Sequence, residues 1–461
     1  MNDKKPHFWI PDEEVERVSK KPTGRTTPRD IVYSEHGAKL SHGLQLVKQA
    51  VEELKEDDSL HDAGLYVFKV ELPEGEKIQH QSDLFSKNGM YVNAVKDERH
   101  AIVSTTKHQF QILRNRVAAY TANGTNKTQF DYIESIAPYI GTEKNSGELR
   151  KKVYIDRPPE TVDIQLMFIP NLQSKDYAIA IEKVKEKIHI VQGQIQQDPY
   201  YLSDRTPVIR AVVPSSTLSR FENDSAIYRI EETRFFSVGV DDFLMNIPSS
   251  AQMDDEIDLE NLPIVVVLDS GINFPSPFDQ LVIEHWMPPL SPGGDRDHGT
   301  RVASRVSFAH MGQQLALSHC ITPRARVIDC NILDGSVPEN IIIQRIQKAV
   351  EAYHGVSKIY NLSANASLPI EGDEMSIIGF ELDALQLKYG VQFVVSAGNH
   401  ELWKTETSID DILDDDDSRI APPADSMLSI VVGAVTSEDH VGSLSGKNII
   451  APYSRRGPGF A

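Results

Sequence analysis

The sequence predicts an α/β protein whose C-terminal part is built on a parallel sheet and whose N-terminal part is an α+β region. Three observations predict it. Residues 264–268 form an unbroken run of five aliphatic residues, and 391–395 form a second strand-like run, the pattern of strands buried on both faces. Both end in small polar turns, Asp269-Ser270-Gly271 and Ser396-Ala397-Gly398-Asn399, at the edge where open parallel sheets place their chemistry. Residues 162–232 instead alternate between short strand-like and helix-like pieces.

Taken in order, residues 1–30 are polar and hold Pro6, Pro11, Pro22 and Pro28, which predicts an extended arm. Residues 41–55 place Leu44, Val47, Val51 and Leu54 on one stripe of a helix, completing a segment over 1–60. An α+β region over 61–155 is expected to run strand 65–72, short helix 83–87, strands 90–95 and 101–104, and helix 107–120. Residues 156–235 give the more legible version. Strand 162–169 leads to a helix over 177–188 with Ile181, Val184 and Ile188 aligned, then to strands 193–202 and 206–213. A helix over 214–226, capped by Ser215 or Ser216, and a strand over 228–231 follow. That order, β-α-β-β-α-β, is the ferredoxin-like pattern. The earlier region repeats the order more faintly without a repeat in sequence, so tandem modules are an open alternative to an unrelated α+β domain. Residues 236–259 read as a linker. The apolar stretches at Phe235-Phe236 and Phe243-Leu244-Met245 are too hydrophobic for free chain, so burial is expected there. Residues 260–461 then form the parallel-sheet domain.

The polar turns carry the chemistry. An Asp at the end of a buried strand can accept from a histidine ring nitrogen, fixing its tautomer and stabilising the imidazolium formed when the other nitrogen takes a proton. His298 is the natural partner of Asp269. It follows the polar loop 291–297 and opens a stretch in which Val302, Val306 and Ala309 recur at helical spacing, which puts the imidazole at a helix N-terminus. The turn after 391–395 aims the Asn399 amide out of the sheet, where it can donate to a developing oxyanion.

The contexts Val267-Leu268-Asp269-Ser270-Gly271-Ile272, Asp297-His298-Gly299-Thr300-Arg301-Val302-Ala303 and Val394-Val395-Ser396-Ala397-Gly398-Asn399, in that order, resemble the subtilases, the subtilisin-like serine peptidases. Further pieces match in sequence order. Ile359-Tyr360-Asn361-Leu362-Ser363 is similar to the family's substrate-binding strand, Pro423-Ala424 with 429–435 to the wall and core strand after it, and Tyr453-Ser454-Arg455-Arg456-Gly457-Pro458 to the element ahead of the nucleophile. The resemblance implies a serine endopeptidase acting on polypeptides, with catalytic Asp269, His298 and Asn399 and with Ser363, Ala364 and Asn365 against the substrate. Two departures stand out. The family's Gly-Thr-Ser nucleophile turn does not occur in the 461 residues, so the domain is expected to be incomplete and the polypeptide inactive. Ser363-Ala364-Asn365 stands where relatives show a glycine after the serine, which leaves the shape of the primary pocket open. A catalytically dead subtilase-fold protein that binds a peptide or partner is the alternative. Subtilase propeptides have the ferredoxin-like fold and thread a tail through the cleft, which makes 156–235 a candidate for such a module.

Composition bounds the rest. A net charge of -20 argues against nucleic acid or an anionic membrane as a main partner. Cys320 and Cys330, the only cysteines, are expected to be reduced, though a hairpin could bring them together. The N-terminus lacks an apolar stretch of signal-peptide length and no stretch approaches a transmembrane span, so a cytoplasmic location is expected. The acidic run 410–417 reads as a solvated loop, without the ligand spacing of a calcium site. His310, His319, His354 and His400 lack metal-ligand spacing and read as structural, so neither metal nor cofactor is expected. A protein partner for the N-terminal region is left open.

Overall fold

A computed structural model describes residues 29–237, 251–254, 256–288, 294–309, 311, 314–315, 320–370, 375–439, 441–457 and 459. The chain divides into two compact units, Met1–Tyr139 and Ile140–Ala461.

In the first unit, α1 (Tyr33–Glu53) begins earlier than the periodicity predicts, because Gly37 and Leu40 extend the buried stripe of Leu44, Val47 and Val51. Gly43 lies in this helix for a packing reason: a Cβ there would stand 2.2 Å from the carbonyl oxygen of Ile136. Then come β1 (Leu65–Glu71), α2 (Ser82–Lys87), β2 (Tyr91–Val95), β3 (His100–Thr106), α3 (Lys107–Asn123), α4 (Lys127–Phe130) and β4 (Ser135–Pro138). Thr106 caps α3 by accepting from the Gln109 amide. The sheet order is β2-β3-β1-β4, all antiparallel, so β4 closes a β-α-β-β-α-β path whose last strand the sequence did not suggest. Phe68, Leu113, Val117, Tyr120 and Phe130 fill its core.

The second unit opens with α5 (Gly147–Val153), which lies against the sheet that follows: the Ser146 amide donates to the Ile230 carbonyl. That sheet comprises β5 (Thr161–Phe168), β6 (Gln194–Ile195), β7 (Tyr200–Tyr201), β8 (Pro207–Pro214) and β9 (Ile227–Glu232), with α6 (Ser174–Ile190) and α7 (Ser219–Glu222) between strands. Its order is β6-β8-β5-β9 with β7 beside β8, which matches the first sheet when β6 and β7 are taken as one interrupted strand, and every pair is antiparallel. Two expectations differ here. The strand expected over 193–202 is two short pieces, interrupted ahead of Pro199, which has no N–H for a ladder. The helix expected over 214–226 shrinks to a 3-10 turn (Ser215–Thr217) and α7, and the Ser215 hydroxyl donates to the Pro159 carbonyl instead of capping.

Beyond β10 (Phe235–Phe236) and β11 (Gln252–Met253) lies a six-stranded, wholly parallel sheet. Its strands are β12 (Ile264–Asp269), β13 (Val282–Trp286), β15 (Arg326–Asn331), β17 (Ile359–Leu362), β18 (Gln392–Ser396) and β19 (Ile430–Val432), in the order β13-β15-β12-β17-β18-β19. The short strands β14 (Cys320–Ile321) and β16 (Val337–Pro338) pair with β11 and β10 respectively. The helices are α8 (Asp297–Phe308), α9 (Glu339–Tyr353), α10 (Ile377–Tyr389) and α11 (Ile409–Asp414). In α8 the buried positions are Gly299, Ala303, Ser307 and Phe308. Val302 and Val306 are only partly buried and Ala309, at positive φ, ends the helix, so the stripe is rotated from the one expected. The edge strand β19 has all three residues exposed.

The sheet of β5 to β9 shares a core with this region: Met167, Tyr200 and Val208 join Ile342, Ile346 and Leu382 of α9 and α10. Polar contacts fix the same surface. Gln165 donates to Glu339 at 2.8 Å, and both the amide and the hydroxyl of Ser203 donate to Glu381, at 2.8 and 2.5 Å. Phe236 is fully buried and pairs with Val337 and Ala366, whereas Phe235 is 43% exposed against the expectation of burial. The stretch at 243–245 lies outside the described residues. The acidic run folds as α11 and a 3-10 turn (Asp416–Ser418).

Candidate active site

Asp269 is the last residue of β12 and is almost wholly buried. Its Oδ1 accepts from the Ser270 amide at 2.7 Å and lies 2.8 Å from Nδ1 of His298. His298 is the second residue of α8, and the helix start is drawn onto the strand end by Gly299, whose amide donates to the Ser270 hydroxyl at 3.2 Å. Thr300 extends the join: its hydroxyl accepts from the Asn273 amide at 2.9 Å and donates to the Arg296 carbonyl at 2.7 Å. The His-Gly-Thr and Asp-Ser-Gly motifs are thus two halves of one contact. An imidazole held through Nδ1 by a carboxylate is oriented to take a proton at Nε2.

Asn399 follows β18 at the same C-terminal edge, with β17 between its strand and β12. It is exposed, on a turn in which Gly398 has φ of 100°. That turn is held by Arg455, the third residue of the Tyr453–Pro458 motif, which carries no mark of this role in its sequence. The buried guanidinium fans onto four carbonyls: Asn399 at 2.9 Å, Asp417 and Arg419 at 2.8 Å each, and Ser367 at 2.7 Å. Next to it, burial and then the Arg455 charge hold the His400 imidazole below its usual range.

Ser363, Ala364 and Asn365 continue from the end of β17, between the other two sites. The Ser363 hydroxyl donates to Asn361 Oδ1 at 3.2 Å, and Ala364 is buried. Asn365 is engaged internally. Its Nδ2 donates to the carbonyls of Ser396 at 2.8 Å and Ala421 at 3.2 Å, and its Oδ1 accepts from the Ser396 hydroxyl. Its side chain therefore ties the end of β17 to the Asn399 turn.

A second imidazole–carboxylate pair, unsuspected from the sequence, lies on the neighbouring strands: His285 Nδ1 is 2.8 Å from Asp329 Oδ2, which also accepts from the Ile272 amide at 3.0 Å. Burial pushes the Asp329 carboxyl up, and His285 works against that shift. Among the described residues no group of three or more His, Cys, Asp and Glu side chains is placed to hold a metal. His354 borders Tyr389, and His310 and His319 lie outside the described residues. Both cysteines are free thiols. No described helix is long and apolar enough to cross a membrane.

Residues 261–460 match the model of the subtilase family of peptidases. Comparison with curated proteins gave no significant match. Among solved structures, a mutant of the epidermin leader peptide processing serine protease from Staphylococcus aureus is similar, at 15% identity and a TM-score of 0.37 over 66% of this chain and 75% of that one. Another structure of that protease has a TM-score of 0.33 at 15% identity, over 66% and 74% of the two chains. The prenylagaramide maturation protease has a TM-score of 0.25 at 19% identity over 41% of this chain and 57% of its own. The stretch that matches the subtilase family, residues 261–460, is the stretch that holds Asp269, His298 and Asn399.

Proposed function

We propose that this domain carries the base, orienting acid and oxyanion donor of a serine endopeptidase acting on polypeptides. The observation that carries the reading is the Asp269 carboxylate holding Nδ1 of His298 at the C-terminal edge of an all-parallel sheet. His298 is the general base, taking the proton of a serine hydroxyl at Nε2 and returning it to the leaving amine. Asp269 orients the ring and stabilises its cation. Asn399 donates to the oxyanion with the serine's own backbone amide. The substrate lies extended along 361–365, where backbone pairing supplies affinity. The mechanism operates if a serine is supplied from outside these 461 residues, which contain no Gly-Thr-Ser turn.

The two antiparallel sheets are read as tandem ferredoxin-like modules and the second as propeptide-like, supported by its seat on α9 and α10 and by β10 beside Ala366. A cytoplasmic location, and a protein partner for the N-terminal region, belong to the same reading. One observation favours the alternative of a peptide-binding protein without catalysis: a strand, β10, already occupies the edge between β16 and Ala366 with no chemistry attached.

Fluorophosphonate labelling separates the two. The 461-residue polypeptide should stay unlabelled, and a longer product carrying the serine should be labelled there, with labelling abolished by His298→Ala. Labelling of the 461-residue chain, or labelling of the longer product that survives His298→Ala, would overturn the mechanism.

A further inference from the structure

The turn carrying Asp269 is braced from the next strand by groups to which the mechanism above gives no role. β15 runs parallel to β12, with Asn331 opposite Asp269 and Asp329 opposite Val267. Residues two apart on a strand share a face, and register partners on adjacent strands share it too, so Asp269, Asp329 and Asn331 project from one side of the sheet. They are 1%, 3% and 1% exposed. Asp269 engages His298 and Ser270 through Oδ1, and among the described residues its buried Oδ2 has no partner. Asp329 engages His285 and Ile272 through Oδ2, and its buried Oδ1 has none. Neither the buried Nδ2 nor the buried Oδ1 of Asn331 has one, and Nδ2 lies 3.3 Å from where a Cβ on Gly271 would be, against the same turn.

Donor arithmetic joins these three groups. Two buried carboxylate oxygens each lack a donor, and a buried amide on the same face of the sheet carries two N–H bonds. We propose that Asn331 is a positioning residue for the Asp269–His298 pair, its side-chain amide forking between Asp269 Oδ2 and Asp329 Oδ1. The inference rests on the reading of Asp269 as the carboxylate that orients His298. With one oxygen on the imidazole and the other on the amide, the carboxylate plane is set, and the donor draws charge away from the oxygen facing the ring. The fork also ties the 269–272 turn, through Asp329, to the half-exposed His285.

The test is NMR on the whole chain labelled with 15N in histidine and asparagine side chains. The Asn331 amide resonances, assigned by their loss in Asn331→Leu and Asn331→Ser, should move with the midpoint of His298 and stop moving in Asp269→Asn. In Asn331→Leu the His298 midpoint should rise by about 0.5 pH unit or more, because the carboxylate no longer shares its charge with a donor. Asn331 resonances that stay flat through the His298 titration, or a midpoint that is unchanged or lower in Asn331→Leu, would overturn the proposal. If Asn331→Leu does not fold, the wild-type titration with Asn331→Ser for assignment decides it. A His298 midpoint unmoved by Asp269→Asn would instead remove the orienting role of Asp269, and a normal response there with flat Asn331 signals removes only the fork.

Discussion

Gly299 stands so close to Gly271 that a Cβ on it would lie 2.3 Å from the Gly271 carbonyl oxygen. The obstacle is backbone, which cannot swing aside. Gly299→Ala is therefore expected to push the start of α8 off the end of β12, costing about 1–3 kcal/mol as overpacking does. Denaturant unfolding measures the loss, and the His298 imidazole signals should lose the signature of the Asp269 contact. A variant as stable as the parent with an unchanged His298 would mean that the close approach is dispensable.

The buried acidic cluster around Arg234 predicts a pH effect. Glu339 accepts from Gln165 and lies 3.7 Å from Arg234, which also binds Glu231 at 2.6 Å and Glu148 at 2.9 Å. Burial, followed by the Glu231 and Glu148 charges, raises Glu339 to about 8, although Arg234 pulls the other way. A carboxyl whose pKa is raised in the packed state binds more protons there than when released. Its stabilising contribution is thus complete below its ordinary value of 4.5 and is lost as pH rises toward about 8. Hydrogen exchange of β10 and β16 should accelerate over that window, and Glu339→Gln should flatten the dependence. Exchange that slows as pH rises, after correction for the intrinsic rate, would contradict the sign.

Phe236 and Phe235 should behave differently despite being neighbours. Phe236→Ala empties a fully buried site and should cost about 3 kcal/mol or more, whereas Phe235→Ala, at a 43% exposed site, should cost well under half of that. Thermal unfolding of the two variants checks the ranking. In a serine-containing product, Phe236→Ala should also raise peptidase activity if β10 restrains the cleft; unchanged activity favours β10 as an ordinary interdomain strand.

Arg455→Lys tests how the Asn399 turn is held. Guanidinium donors reach four carbonyls from one buried position, and a single ammonium cannot reproduce that planar fan. Amide exchange across 397–400 should rise by about tenfold or more, with little change in the sheet of β1 to β4 in the first unit. Equal protection in both proteins would show that the turn holds itself.

The parallel-sheet domain was legible because its motifs lie where two elements meet: Asp269 marks a strand end, His298 a helix start, and the small residues beside each leave room for the contact. Other features depend on partners far away in sequence. Gly43 argues against a helix until Ile136 is seen against it, and β4 is too short to announce itself beside β1. Asn365 reads as a residue of the substrate strand, but its amide meets carbonyls at 396 and 421, and only the fold brings these together. Asp329 and Asn331 lie in β15, a stretch from which the sequence motifs single out no residue. Their importance comes from a register with β12 and β13 that no local pattern encodes.

The exposed edge strand β19 has consequences for how the protein behaves at high concentration. Ile430, Val431 and Val432 are 53%, 38% and 50% exposed on a strand that, among the described residues, has a neighbour on one side only, β18. Unpaired backbone flanked by β-branched side chains is a template for another strand. A net charge of -20 opposes that contact through mutual repulsion, and salt screens the repulsion while leaving the apolar edge as it is. Colloidal stability should therefore fall as ionic strength rises, with self-association seeded at 430–432 and suppressed by a lysine at position 431.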